Sequence, residues 1–308
     1  MAAVASVAAQ PPAPAPDSPA VAAIVARARA AAGGDWPQAV DFFCGAAGRP
    51  NRADDPLIEP RRVFDNLYAL GRTGTVVWAL TTTDGILLID AGYPDQLESV
   101  LLPQMRAAGL DPADVRYVLL GHGHSDHFGG ASYFQQRGAR VASTAADWAL
   151  IEAPPAAGAP APAGLPPPRR DVVVADGATI SFGGVEIVTV TIPGHTPGAL
   201  GFVFPVADGA RTHRAALFGG SILLFARISD DGLKQYVESL ERFGAEARRL
   251  GVDVEIQNHP LYDGFETTLE RLAARRPGDP HPFVVGADAY QRFLTVMSEC
   301  ASAQLARR

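Results

Sequence analysis

The sequence predicts an α/β protein in which two β-sheets lie face to face and helices cover their outer sides. Two observations carry this reading. β-rich runs precede helical runs twice along the chain, in halves of similar order, which suits two sheets with external helices. A 47% apolar fraction and a slightly positive mean hydropathy supply a large core, and 308 residues fall within the range of one large domain. We expect one domain over 21–308. The Ala/Pro-rich segment 1–20 reads as a disordered tail or the remnant of an export signal.

Asp17-Ser18-Pro19 opens an Ala/Arg-rich helix that Gly33-Gly34 ends near Ala32. VFDNLYAL, TVVWALTTT and GILLID, between 63 and 90, are short β-rich runs divided by Gly and Asp, as in a meander. A helix follows over 95–109, then the buried strand VRYVLL at 115–120, a helix over 127–138, strand ARVAST and a helix from Ala145 to Ile151. Residues 153–168, APPAAGAPAPAGLPPP, are too rich in Pro and Ala for an element and read as a stiff surface connection. Strands resume as DVVVAD, TISF, VEIVTVTI, LGFVFPV and AALFGG, followed by a helix over 231–250, strand VDVEIQN at 252–258 and two final helices.

The formal charge of −7 disfavours nucleic-acid and anionic-membrane partners, and no apolar run reaches the length that spans a bilayer. The arginine pairs 61–62, 169–170, 248–249 and 275–276 are scattered among acids and read as solvated surface. Two cysteines, Cys44 and Cys300, are too few for a thiolate metal site. They form either one bridge between the chain's ends, implying an oxidising compartment, or two separate buried thiols.

Chemistry concentrates in GHGHSDHFGG, residues 121–130. Three of the chain's seven histidines and one aspartate fall within 122–127, between a strand and a helix. Imidazole nitrogen and carboxylate oxygen are good zinc ligands, and a catalytic zinc needs three protein donors and an open position. Four donors on so short a loop cannot all converge on one ion, so two neighbouring ions are expected. His195 in TIPGHTPGA and His259 in VDVEIQNHPLYDG also stand where apolar strands end, the usual place for functional loops. His213 and His281 lie in polar, turn-like stretches and read as surface residues.

HGHSDH (122–127), GHTPG (194–198), FGGS (218–221) and NHP (258–260) together resemble the metallo-β-lactamase superfamily, in order, over about 62–260. The resemblance implies a four-layer αββα sandwich with a dizinc site at one edge. His122, His124 and His195 would hold the first zinc; Asp126, His127 and His259 would hold the second. It also places Asp90, in LLIDAGY, behind the ligands, where an acid can orient a ligand imidazole.

Two zinc ions can supply a hydroxide at neutral pH, so the expected reaction is hydrolysis of an amide, ester, thioester or phosphoester. No GxSxG, P-loop or dinucleotide motif offers another route. Ser221 narrows the resemblance. Many relatives carry a bridging aspartate at this strand end and one lactamase subclass a cysteine, whereas serine resembles subclass B3. Asp126 and Ser221 are therefore the expected catalytic residues of a periplasmic or secreted, monomeric enzyme. It would open the amide of β-lactam antibiotics, a resistance function, by attack of a metal-bound hydroxide. The alternative is a lactonase, thioesterase or other ester hydrolase on the same scaffold. Ala199-Leu200-Gly201 and Ile222-Leu223-Leu224-Phe225 depart from the usual B3 residues for carboxylate recognition. Phe128, Trp148, Phe225 and Tyr262 are candidate cleft walls, with core packing their default role. An iron or flavin-linked redox role and a nuclease role find no supporting appendage.

Overall fold

The computed structural model describes residues 16–45, 55–154, 164–223, 225 and 228–308. Residues 1–15 of the expected tail lie outside these residues, as do 155–163 of the Pro/Ala connection, and Pro19 and Ala20 already belong to the first helix. Helices α1 (Pro19–Ala32) and α2 (Pro37–Cys44) precede a first sheet of β1 (Arg61–Phe64), β2 (Leu67–Arg72), β3 (Thr75–Thr82), β4 (Gly85–Ile89), β5 (Val115–Leu119), β6 (Arg140–Ser143) and β7 (Val172–Val173). These strands lie side by side in chain order, antiparallel through β4 and parallel from β4 onward. Helices α3 (Leu102–Ala107), α4 (Ser125–Phe128), α5 (Ala131–Gln135) and α6 (Ala145–Ile151) fall within this half. The second sheet runs β12-β11-β10-β9-β8, from β8 (Thr179–Phe182), β9 (Val185–Thr191), β10 (Leu200–Asp208), β11 (Arg211–Phe218) and β12 (Val254–Ile256). Helices α7 (Asp230–Leu250), α8 (Phe265–Ala274) and α9 (Ala287–Ala306) complete the chain.

Side chains alternate across each strand, and both faces are covered. On β3, Val76, Trp78 and Leu80 meet Leu200, Phe202 and Phe204 of β10 between the sheets. Val77 and Ala79 turn outward against Leu101, Met105 and Phe134. On the far side Val203, Ala216 and Phe218 meet Leu240, Phe243, Phe293 and Met297 of α7 and α9. The result is the expected four-layer sandwich, and it explains why these strands read as continuous apolar runs. Each such buried Val, Leu, Phe or Met side chain contributes about 1.5–3 kcal/mol. Cys44 and Cys300 are bridged, joining α2 to α9 and settling the alternative the sequence left open.

Several elements differ from the sequence reading. The helix expected over 95–109 is a π-turn at Leu97–Leu101 followed by α3, because Pro103 has no N–H for the preceding turn. The helix expected over 127–138 is split at Gly129-Gly130. There the chain passes so close to 91–94 that a Cβ on Gly129 would sit 2.2 Å from the Pro94 nitrogen. DVVVAD pairs only at Val172–Val173. His281 is not a surface residue. It is buried, its ring stacks on Phe64 at 4.0 Å, and its Nε2 bonds the Val63 carbonyl. His213 is half-buried and paired with Asp253 at 2.6 Å. The arginine pairs lie at or near the surface as expected.

Strand direction positions the site. The C-terminal ends of β4, β5, β9, β11 and β12 open onto one edge of the sandwich, and each leads directly into a candidate residue.

Candidate metal centre

The loop after β5 carries His122, His124, Asp126 and His127; the β9–β10 connection carries His195, and His259 follows β12. These stretches, distant in sequence, converge. His195 Nε2 lies 3.0 Å from both His122 Nε2 and His124 Nδ1. His127 Nε2 lies 2.9 Å from His259 Nε2, and Asp126 Oδ2 stands 3.7 Å from each of these two nitrogens. His122 falls within reach of both groups.

The outer ring nitrogens fix the protonation state. His122 Nδ1 meets the Gly219 carbonyl at 2.6 Å, and His259 Nδ1 meets the Gly74 carbonyl at 2.6 Å. A carbonyl only accepts, so these nitrogens carry a proton, and in the neutral ring each Nε2 presents a lone pair. His127 Nδ1 likewise faces the Asp90 carboxylate at 2.6 Å. Desolvation first, and then the neighbouring imidazoles, hold His122 well below its ordinary value and His195 at about 3, so both rings are neutral. Lone pairs facing each other near 3 Å repel unless a cation lies between them. Nitrogens bound tetrahedrally at 2.0–2.1 Å stand about 3.3 Å apart, close to the spacings found here. The donor set fits zinc.

Two buried carboxylates hold these donors. Asp90, at the end of β4, takes a left-handed backbone with φ 65°, a conformation that costs a non-glycine residue energy and persists where surrounding contacts enforce it. Those contacts are the Gly121 N–H at 2.7 Å, His127, and Asn258 Nδ2 at 3.1 Å, the last beside His259. Asp147, three residues after the Thr144 cap of α6, accepts from Gly123, Thr196 and Gly198. The sequence pointed to Asp90 and missed Asp147. The Thr144-x-x-Asp147 spacing, a capping pattern, was the available signal.

Ser221 follows β11 and is fully buried. Its side chain lies beside the buried Tyr262 hydroxyl, with which it interacts. It adjoins Gly220, where a Cβ would lie 2.8 Å from that of His195. A cleft of about 680 Å³ opens over the centre. His124, Asp126 and His195 form its floor, with Pro197, Leu223, Ile228 and Gln235 along its sides. Trp148, Tyr262 and Phe128 instead belong to the core clusters and Phe225 packs against one of them, so none of the four aromatics lines the cleft.

Residues 70–212 match the family model of the metallo-beta-lactamase superfamily. A hydroxyacylglutathione hydrolase of Acidiphilium cryptum is 37% identical over 174 residues, covering 56% of this chain and 59% of that protein. Its counterpart from Xanthomonas axonopodis pv. citri is 31% identical over 173 residues, 55% of each. The chain thus spans little more than half the length of these curated relatives. Among solved structures, a subclass B3 metallo-beta-lactamase of Bradyrhizobium japonicum superposes with a TM-score of 0.69 at 25% identity, covering 82% of this chain and 96% of that one. A beta-lactamase from Chitinophaga pinensis gives 0.65 at 26% identity, covering 85% and 99%.

Proposed function

From the premise that this chain carries a metallo-beta-lactamase superfamily domain on that superfamily's fold, we propose that it is a dizinc hydrolase of activated acyl bonds. Esters and thioesters are its first candidate substrates. The observation that carries the chemistry is the meeting of lone-pair nitrogens in two groups of three histidines that share His122. The preference for esters and thioesters rests on hydroxyacylglutathione hydrolases being the curated relatives, at up to 37% identity. In this reading His122, His124 and His195 hold one ion, and Asp126, His127 and His259 hold the other.

A bound zinc pair would supply Lewis acidity and lower the pKa of water to about 7. The chain's own residues do the rest. Asp126 lines the cleft floor, where its carboxylate can orient a water toward the acyl carbon and hold the proton that water sheds. Asp90 keeps the His127 ring in one tautomer and orientation. Pro197, Leu223 and Ile228 offer apolar walls for the acyl group, and Gln235 a polar contact.

A β-lactam is the second reading. It is supported by a subclass B3 metallo-beta-lactamase and a second beta-lactamase that align over nearly their whole length, and by serine rather than an acid at 221. The Cys44–Cys300 bridge supports an oxidising compartment, periplasmic or extracellular, and we infer one small-molecule substrate per monomer. The purified chain should contain about two zinc ions and no iron. Offered a glutathione thioester, acyl-lactones, nitrocefin and a carbapenem, it should turn over the thioester or lactone fastest and lose all activity to a chelator. Faster turnover of nitrocefin would reverse the order of the two readings. Activity insensitive to chelation would end both.

A further inference from the structure

We propose that Asp147 is the positioning residue for one half of the centre, setting the distance between the two loops that bring His122, His124 and His195 together. The inference rests on the dizinc reading above. It goes beyond that reading in giving each half of the centre its own buried brace.

The geometry is specific. Asp147 is fully buried, and its two oxygens accept three hydrogen bonds. Oδ2 takes the Gly123 N–H at 2.7 Å and the Thr196 hydroxyl at 2.7 Å, while Oδ1 takes the Gly198 N–H at 2.8 Å. Gly123 lies between His122 and His124, and Thr196 directly follows His195. One carboxylate therefore spans both loops. Thr144 completes the grip, its hydroxyl donating to the Gly198 carbonyl at 2.8 Å while accepting the Asp147 N–H. Both main-chain groups of Gly198 are held, and a Cβ there would lie 1.9 Å from Thr144 Oγ1. His127, in the other half, is held by Asp90, which also accepts from the Gly121 N–H and Asn258 Nδ2.

Selectivity is the consequence. In Asp147→Asn the side chain keeps its shape, but an NH₂ group replaces one oxygen and turns a donor toward donors. The spacing of His122 and His124 from His195 then relaxes, and outer partners of ligands are worth about 10–100-fold in metal affinity. The Asp90 half keeps its own direct bonds, so the loss should fall mainly on one ion.

The test is equilibrium competition with a chromophoric zinc chelator, read as two dissociation constants for the full chain, beside circular dichroism of the metal-free protein. For Asp147→Asn we expect one constant weakened 10–100-fold and the other within threefold of wild type, with unchanged secondary structure. Thr196→Val should weaken the same constant, and Thr196→Ser, which restores the hydroxyl, should return it to wild type. Two unchanged constants in Asp147→Asn would overturn the proposal, and so would equal weakening of both, which marks general loosening. If Asp147→Asn does not fold, Thr196→Val decides: no selective loss there overturns the proposal. Wild-type chain that binds no zinc would refute the dizinc reading itself, a result distinguishable from the others because it precedes any substitution.

Discussion

Replacing Cys44 and Cys300 together by alanine removes a cross-link between residues 256 apart. For a loop of that length the chain-entropy relation gives a loss of about 5.5 kcal/mol, nearly all of it from freeing the unfolded chain. The folded contacts around the bridge should survive the change. Phe43 still packs on Tyr262 at 4.4 Å between ring centres, Trp36 on Phe293 at 4.9 Å, and the Trp36 indole N–H still bonds the Ala289 carbonyl at 2.7 Å. Both cysteines are buried, so alanine is a better choice than serine, whose hydroxyl would be stranded in the core. Guanidinium unfolding, followed by circular dichroism without reductant, should show a lower midpoint for the double variant and a steeper dependence on denaturant, since its unfolded chain is more expanded. Zinc content at zero denaturant should not change, because neither cysteine touches a ligand loop. A loss below about 1 kcal/mol would refute the loop-entropy account. Two reactive thiols in unreduced, unfolded wild type would refute the bridge.

Three further outcomes are expected. His124→Ala should abolish hydrolysis and reduce bound zinc from two toward one, with circular dichroism unchanged; surviving activity would exclude the dizinc mechanism. Ser221→Asp should tighten retention of one ion against a chelator and alter relative turnover of lactam and thioester, and no effect on either would separate Ser221 from the site. Burial pushes Asp263 up to about 7 from an ordinary 3.8, and Glu255 is raised by burial and by Asp263 beside it. The folded chain therefore holds more protons than the unfolded chain between about pH 4 and 7, and stability falls as pH rises through that window. Asp263→Asn should flatten this slope and be relatively more stable at pH 8 than at pH 4 in denaturant titrations; parallel curves for the two proteins would contradict the shift.

The metal centre was legible in the sequence because three histidines within six positions are rare and because His195 and His259 each follow a strand. The supports were less legible, for physical reasons. The Gly219 and Gly74 carbonyls that fix the His122 and His259 rings are main-chain groups, and any residue there would offer the same atom. Asp147 reads locally as an ordinary acid in the first turn of a helix. Its bonds to Gly123 and Gly198 exist only once three loops meet. His281 was misread because its neighbours are polar in sequence, whereas its ring contact is Phe64, over two hundred positions away. The helix break at Gly129-Gly130 likewise depends on a close pass by Pro94, a tertiary constraint that outweighs helical periodicity.

Charge balance links the braces to the choice of substrate. Two zinc ions would bring four positive charges among neutral imidazoles, with Asp126 the one carboxylate in the donor set. An aspartate at 221 would add a second, but the chain places an uncharged serine there. Asp90 and Asp147, both fully buried, place two more carboxyl groups at one remove. Without ions, burial pushes the Asp147 carboxyl up despite its three donors. A nearby cation would favour its charged form, so ion and brace stabilise each other. Charge held behind the ligands, rather than on them, leaves the ions more exposed to an incoming anion than a directly bound carboxylate would. Under the proposed dizinc reading, such a centre would suit leaving groups that depart as anions, a thiolate or a lactam nitrogen alike. On that reading, discrimination between them would fall to the cleft walls at Pro197, Leu223, Ile228 and Gln235 rather than to the metal ligands.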